Sequence, residues 1–281
     1  MSRLRIVHRT GFDYDDPATA SYNEARMMPF GGEGQFVLQS SLDISPAATQ
    51  HTYIDYWGTR VSTFEVLTPH TELSVTATSL VEVGAAARVE HPLDWAELAV
   101  ARERASQFVE QTWQTPFTTV PEDAAGLARE LAAEQDDPAV AAFEICRVVG
   151  GAMEYMPGVT GVHSTAAEAW SERRGVCQDI AHVTIGALRS VGIPARYVSG
   201  YLHPDPSAAV GVTVTGESHA WVEWFTGDWH GYDPTNLIGI ADRHVLVGRG
   251  RDYADVPPLR GVYAGPSASN LFVSVEITRE S

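Results

Sequence analysis

The feature that most constrains this fold is a change of period along the chain. In residues 71–83, Leu73, Val75, Ala77 and Ser79 fall on one face and Ser74, Thr76 and Thr78 on the other, the two-residue period of a half-buried strand. Residues 49–67 are similarly rich in Thr, Val, Tyr and Phe, and turn signals at Asp16-Pro17, Gly31-Gly32, Ser45-Pro46, Gly58 and Pro69 divide the region into short runs. Strands at short spacing with no helical period between them predict an antiparallel, sandwich-like β domain over residues 1–85.

After that the period becomes helical. Residues 94–112, Asp123 to Glu134, Pro138 to Val149 and Thr165 to Arg173 read as helices, the third opened by Asp136-Asp137-Pro138 with Pro at its first position. In residues 175–192, Ile180, Val183, Ala187, Leu188 and Val191 share one face. Gly192-Ile193-Pro194 stops that helix, which therefore runs from about Cys177 to Val191. Three β-like runs follow, at 195–202, 218–225 and 228–235, and a tail closes with a strand at Leu271 to Ile277. Helices followed by strands give an α+β class rather than an alternating β/α one. The predicted units are 1–85, a core over 86–255, and a tail over 256–281.

Composition sets the outer bounds. The 281 residues are 44% hydrophobic and 20% charged, enough apolar material for a core. With 36 acidic and 19 basic residues the net charge is −17, which argues against non-specific nucleic-acid binding and against a basic membrane-surface helix. No apolar run approaches the ~20 residues needed to cross a bilayer. The N-terminal residues show no apolar secretory region. Two cysteines in so long a chain fit a reducing compartment, so a cytoplasmic location is expected.

The two thiols separate by context. Cys146 lies in an apolar helix and reads as core packing. Cys177 opens a predicted helix, where unpaired N–H groups and the positive end of the dipole favour a thiolate. His219 and Asp233 lie on two strand-like runs joined by a short turn around Thr226-Gly227-Asp228. A two-residue loop there would put them on opposite faces. A three-residue loop would put them on the same face, directly opposite or diagonal. A catalytic trio therefore requires an odd loop or a bulge.

The order of Cys, His on a strand and Asp on the next strand resembles the transglutaminase-like superfamily, whose catalytic core is papain-like. The resemblance is carried by Gly-Val-Cys-Gln-Asp at 175–179, Ser-His-Ala-Trp-Val-Glu at 218–223 and Tyr-Asp-Pro-Thr-Asn at 232–236. Further similarity runs through residues 195–202 and 250–263, and residues 14–29 resemble the β domain that precedes the core in bacterial members. The resemblance implies an N-terminal antiparallel β domain followed by helices packed on an antiparallel sheet. It implies Cys177 as nucleophile, His219 as general base and acid, and Asp233 as the residue that orients the imidazole. It also implies attack on an amide to form a thioester, which passes its acyl group to water or to an amine. Hydrolysis of a peptide, protein or small amide substrate is the expectation. Transamidation and a non-catalytic binding or assembly module are the alternatives.

No cofactor and no metal are expected, since neither zinc-type spacing nor an EF-hand-like loop occurs. The backbone N–H of Cys177 is a natural oxyanion donor, and Gln178 and Tyr155 are candidates for the second. Asp179 is expected to point away from the sulfur, toward Arg173 or Arg174. Trp221, Trp224 and Trp229 crowd the hairpin, as core or as a wall of the substrate groove. The groove is placed between the Cys177 helix and the strand bearing His219.

Overall fold

The computed structural model describes residues 1–32, 34–84, 92–265 and 268–281; the domain boundary expected at 85/86 lies outside them. Six strands come first: β1 (Ser2–Ala18), β2 (Ala20–Ala25), β3 (Gln35–Ser45), β4 (Gln50–Ile54), β5 (Arg60–Val66) and β6 (His70–Val83). The middle of the chain holds α1 (Trp95–Arg104), α2 (Val109–Thr112), α3 (Glu122–Ala133), α4 (Pro138–Gly151), β7 (Glu154–Tyr155), α5 (Ala166–Glu172), β8 (Arg174–Gly175) and α6 (Cys177–Ser190). Then come β9 (Ala195–Leu202), β10 (Thr213–Gly216), β11 (Ser218–Phe225), β12 (Trp229–Asp233), β13 (Ile238–Gly239), β14 (His244–Gly250), β15 (Leu259–Ala264) and β16 (Ser269–Arg279).

Three main sheets result, in the orders β10-β16-β1-β6-β3, β15-β2-β5-β4 and β13-β12-β11-β9-β14. The N-terminal strands do form the expected sandwich, but they do not complete it alone. β16 pairs with β1 from Leu4↔Arg279 to Tyr14↔Ser269, and β15 pairs with β2. From Leu259 on, the chain thus returns to both sheets of the sandwich instead of trailing as a separate tail.

β1 explains how the two halves join. Its inward face carries Leu4, Ile6, His8, Thr10 and Tyr14, all buried. Tyr14 packs with Met27, Phe64, Leu73 and Val75 inside the sandwich. Leu4 and Ile6, with Val275 and Ile277, pack against Tyr201, Val245 and Val247 of the third sheet. Seventeen extended residues span about 55 Å, so one face of one strand serves two cores.

The helices cover the other side of the third sheet. α6 packs on β9 and β11 and against α3, α4 and α5, with Ile180, Val183, Ala187 and Leu188 fully buried as the helical period requires. α4 begins at the predicted Asp137-Pro138 pair, with the Asp137 carboxylate capping Ala139 N at 2.7 Å. The helix expected over 94–112 is broken: Ala105 is extended and separates α1 from a short 3₁₀ turn and α2. Leu98 is the buried residue of α1 and α2 has none, so little apolar burial holds one continuous helix there. None of these helices is long and apolar enough to cross a membrane.

Candidate active site

The hairpin of β11 and β12 sets the site's register. Phe225 pairs with Trp229, so the loop is the three residues Thr226, Gly227 and Asp228, with Gly227 at φ 113°. Val222 pairs with Tyr232; continued by one residue, that register puts Asp233 opposite Trp221 and diagonal to His219 on the same face. The loop length demanded by a catalytic trio is the one the chain adopts.

His219 Nε2 donates to Asp233 Oδ2 at 2.7 Å. With that nitrogen engaged, Nδ1 is the ring atom left for Cys177, which lines the same cavity and whose thiol favours the charged ring. Cys177 is the first residue of α6, so its backbone N–H has no acceptor within the helix. Burial opposes a charge on His219, but the Asp233 carboxylate and the Cys177 thiol outweigh it and raise the imidazole to about 10.

Asp233 is fully buried and held from five directions. Oδ1 accepts from the backbone N–H groups of Thr235 (3.0 Å) and Asn236 (3.1 Å). Oδ2 accepts from His219, from Asn236 Nδ2 at 2.8 Å and, more weakly, from His244 Nε2 at 3.4 Å. Burial would raise its carboxyl, but the bonds from His219, His244 and Asn236 hold it well below the usual carboxylate range. His244 Nδ1 accepts from Ala241 N at 3.3 Å, which leaves the proton on Nε2, facing Asp233. Burial keeps this second imidazole neutral.

Asn236 and His244 are site residues that sequence reasoning did not assign. Asn236 ends the Tyr-Asp-Pro-Thr-Asn motif and sits where an Asp-Pro turn brings its amide back to the carboxylate. His244 has no local signal; pairing of β14 with β9 brings it there. Close packing behind the histidine depends on Gly200, where a Cβ would lie 2.2 Å from Val245 O and 2.5 Å from Trp221 Cη2.

Asp179 departs from expectation. Its Oδ2 accepts from Val176 N at 2.8 Å and Thr160 Oγ1 at 2.6 Å, capping the helix that Cys177 opens. Arg173 and Arg174 pair elsewhere, with Asp123 and Glu172. A short carboxylate at the third helical position reaches its own helix start more readily than two outward arginines. Gly175 leaves it room, since a Cβ there would fall 2.7 Å from Asp179 Oδ2.

Both side chains considered as a second oxyanion donor already have a partner. Gln178 Nε2 donates to Val162 O at 3.3 Å, and the Tyr155 hydroxyl donates to Glu217 at 3.0 Å. Trp221 and Trp224 are buried, and none of the three hairpin tryptophans lines the cavity that holds Cys177. Cys146 is fully buried, and burial pushes its thiol up.

Cys177 and His219 line a cavity of about 370 Å³, whose opposite wall is the first sheet, through His8, Thr10 and Val273. A second cavity of about 440 Å³ reaches His219 from the side of Asn236. Tyr155 and Glu217 line both. Among the described residues no group of three or more His, Cys, Asp or Glu side chains is arranged to hold a metal ion.

Residues 4–82 match the bacterial transglutaminase-like N-terminal region, and residues 125–234 match the transglutaminase-like superfamily. An uncharacterized protein of Mycobacterium leprae is 46% identical over 279 residues, covering 99% of both chains. The chain belongs to the transglutaminase-like superfamily. Other members include an uncharacterized Mycobacterium tuberculosis protein, 34% identical over 98% of this chain and 92% of its own. A protein-glutamine gamma-glutamyltransferase of Pseudomonas aeruginosa is 30% identical over 115 residues, 37% of this chain and 17% of its own. The crystal structure of a candidate cysteine protease from Cytophaga hutchinsonii shares the fold, with a TM-score of 0.76 and 20% identity over 99% of this chain and 98% of its own. That shared fold extends through the N-terminal sandwich as well as the core.

Proposed function

We propose that the protein cleaves an amide bond through a thioester on Cys177. The observation that carries this reading is one imidazole, His219, bonded to a buried carboxylate and sharing a cavity with a thiol at a helix N-terminus. His219 takes the thiol proton, and the sulfur attacks the carbonyl carbon. The oxyanion is received by the Cys177 backbone N–H. The imidazolium then protonates the departing amine, the C–N bond breaks and the thioester remains. Water, deprotonated by His219, attacks the thioester, and the acid leaves with the thiol restored. Asp233 holds the ring with its proton on Nε2 and stabilises the imidazolium.

Hydrolysis is favoured by the cavity that reaches His219 from the Asn236 side, which offers water a route separate from the one beside Cys177. Transfer to an amine is the second reading, prompted by the name of the Pseudomonas relative. The test is a panel of γ-glutamyl, peptide and isopeptide amides, with and without added primary amine, read by product mass. Cleavage lost in Cys177→Ala supports the proposal. Release of free acid in the presence of amine selects hydrolysis, and cleavage retained in Cys177→Ala refutes the role of the thiol.

A further inference from the structure

The cavity beside Cys177 contains a group that this chemistry does not use. His8 lies on β1, in the N-terminal domain, yet it lines that cavity. Its side chain is 1% exposed, and its Nδ1 lies 2.9 Å from the Tyr201 hydroxyl. That hydroxyl gives its own proton to Met27 O at 2.9 Å. Tyr201 must therefore accept from His8, so Nδ1 carries the ring proton and Nε2 is a bare acceptor. Nε2 is buried and has no partner. Burial holds the ring at about 4, so it is neutral at ordinary pH and remains an acceptor. A buried acceptor left unsatisfied costs stability, and a donor from an ordered water or a bound ligand removes that cost.

The rest of the cavity's charge points the same way. Among the described residues no arginine or lysine lines either cavity that meets at His219, and Glu217 is the carboxylate that lines both. Tyr155 occupies Glu217 Oε2, which leaves acceptor capacity on the carboxylate. Apart from the His219 ring, whose charge is paired with Asp233, this wall offers acceptors and negative charge from His8 to Glu217.

We propose that the N-terminal β domain completes a substrate subsite, in which His8 Nε2 and the Glu217 carboxylate receive a cationic N–H donor group, an ammonium or guanidinium, on the non-reacting part of the amide substrate. The inference rests on the amide-cleaving reading of Cys177 and adds a substrate class to it. It also gives the first sheet a part in recognition beyond support. The chain's 19 basic residues are all arginines, so no lysine ammonium of its own competes for the subsite.

Two measurements that need no turnover test it. The first labels Cys177 with cationic 2-aminoethyl and anionic 2-sulfonatoethyl methanethiosulfonate, rates being normalised to glutathione and the site confirmed by peptide mapping. The Glu217 carboxylate on the wall of the Cys177 cavity, acting with opposite sign on the two reagents, predicts that the cationic reagent is preferred. In Glu217→Gln that preference falls toward unity. A wild-type ratio at or below one, or a ratio unchanged in Glu217→Gln, overturns the proposal. The second titrates N-acetyl-lysine amide, or its neutral isostere N-acetyl-norleucine amide, into ¹⁵N-histidine-labelled Cys177→Ala protein. The His8 Nε2 resonance, assigned by its loss in His8→Phe, moves with the lysine amide and much less with the norleucine amide. An unmoved His8 resonance, or equal shifts, overturns the part given to the sheet. Charge-selective labelling without cleavage of any amide would refute the proposed reaction while leaving the subsite in place.

Discussion

Asp233→Asn is the substitution with the most to say about the site. Asp233 receives two backbone N–H groups on one oxygen and three side-chain donors on the other. However an asparagine is turned, its NH₂ faces a set of donors. With the NH₂ turned toward His219, as the two backbone N–H groups on the other oxygen favour, the contact survives only if the ring changes tautomer, with Nε2 accepting and the proton moved to Nδ1. The imidazole can then no longer take the thiol proton. A hydrogen bond to a charged partner contributes about 1.5–3 kcal/mol, and each pKa unit is about 1.4 kcal/mol. His219, raised to about 10 in the native protein, should therefore titrate roughly 1–2 units lower in the variant. Because the folded value lies above the ordinary one of ~6.5, the charged ring's stabilisation is complete below that pH. It is lost as pH rises through about 10 in the wild type, and over a lower, narrower window in Asp233→Asn. The assay is a pH titration of His219 ring ¹⁵N resonances beside urea unfolding at several pH values. Activity should fall by about 10³–10⁴-fold, as in the corresponding exchange in serine-protease triads. A His219 that titrates near 6.5 in the wild type, or at the same pH in both proteins, would refute the reasoning.

Four further substitutions, at three positions, separate positioning from packing. Asn236→Ala removes the 2.8 Å amide donor to Asp233 but keeps the backbone bonds, so kcat/KM should fall by about 3–10-fold with little change in melting temperature. Asp179 is buried and burial raises its carboxyl, so ionisation costs stability above its folded pKa and this cost vanishes as pH falls through it. Asp179→Asn should accordingly melt no lower than wild type at pH 7, whereas Asp179→Ala strands Val176 N–H and Thr160 and should lose about 1–2 kcal/mol in urea unfolding. Gly200→Ala drives a methyl against Val245 O and Trp221, and a loss of about 1–3 kcal/mol with altered tryptophan fluorescence is expected.

Local chemistry carried much of this structure into the sequence. The period of Leu73, Val75 and Ala77 marked a strand, and the stripe from Ile180 to Leu188 marked the helix behind Cys177. The requirement that His219 and Asp233 share a face predicted an odd loop, and Phe225 pairs with Trp229 around three residues. What was hidden is what depends on pairing between distant segments. Nothing near Leu271 says that it lies beside Phe12, and nothing near His244 says that β14 sets it against Asp233. His8 alternates in β1 like any core residue. Its open nitrogen becomes visible only once Tyr201 and Met27, 174 residues apart in sequence, fix its tautomer. The direction of Asp179 was misjudged because opposite charges at Arg173 and Arg174 were weighed above the unpaired N–H groups of the helix start.

The central claim is the thioester at Cys177. Rapid acid quenching of the protein mixed with a cleaved amide, followed by mass spectrometry of its peptides, tests it most directly. The account predicts that the Cys177 peptide gains the mass of the acyl group during turnover, and that the adduct disappears when hydroxylamine is added and never forms in Cys177→Ala. An acyl adduct on another residue, or sustained cleavage by Cys177→Ala, would contradict it.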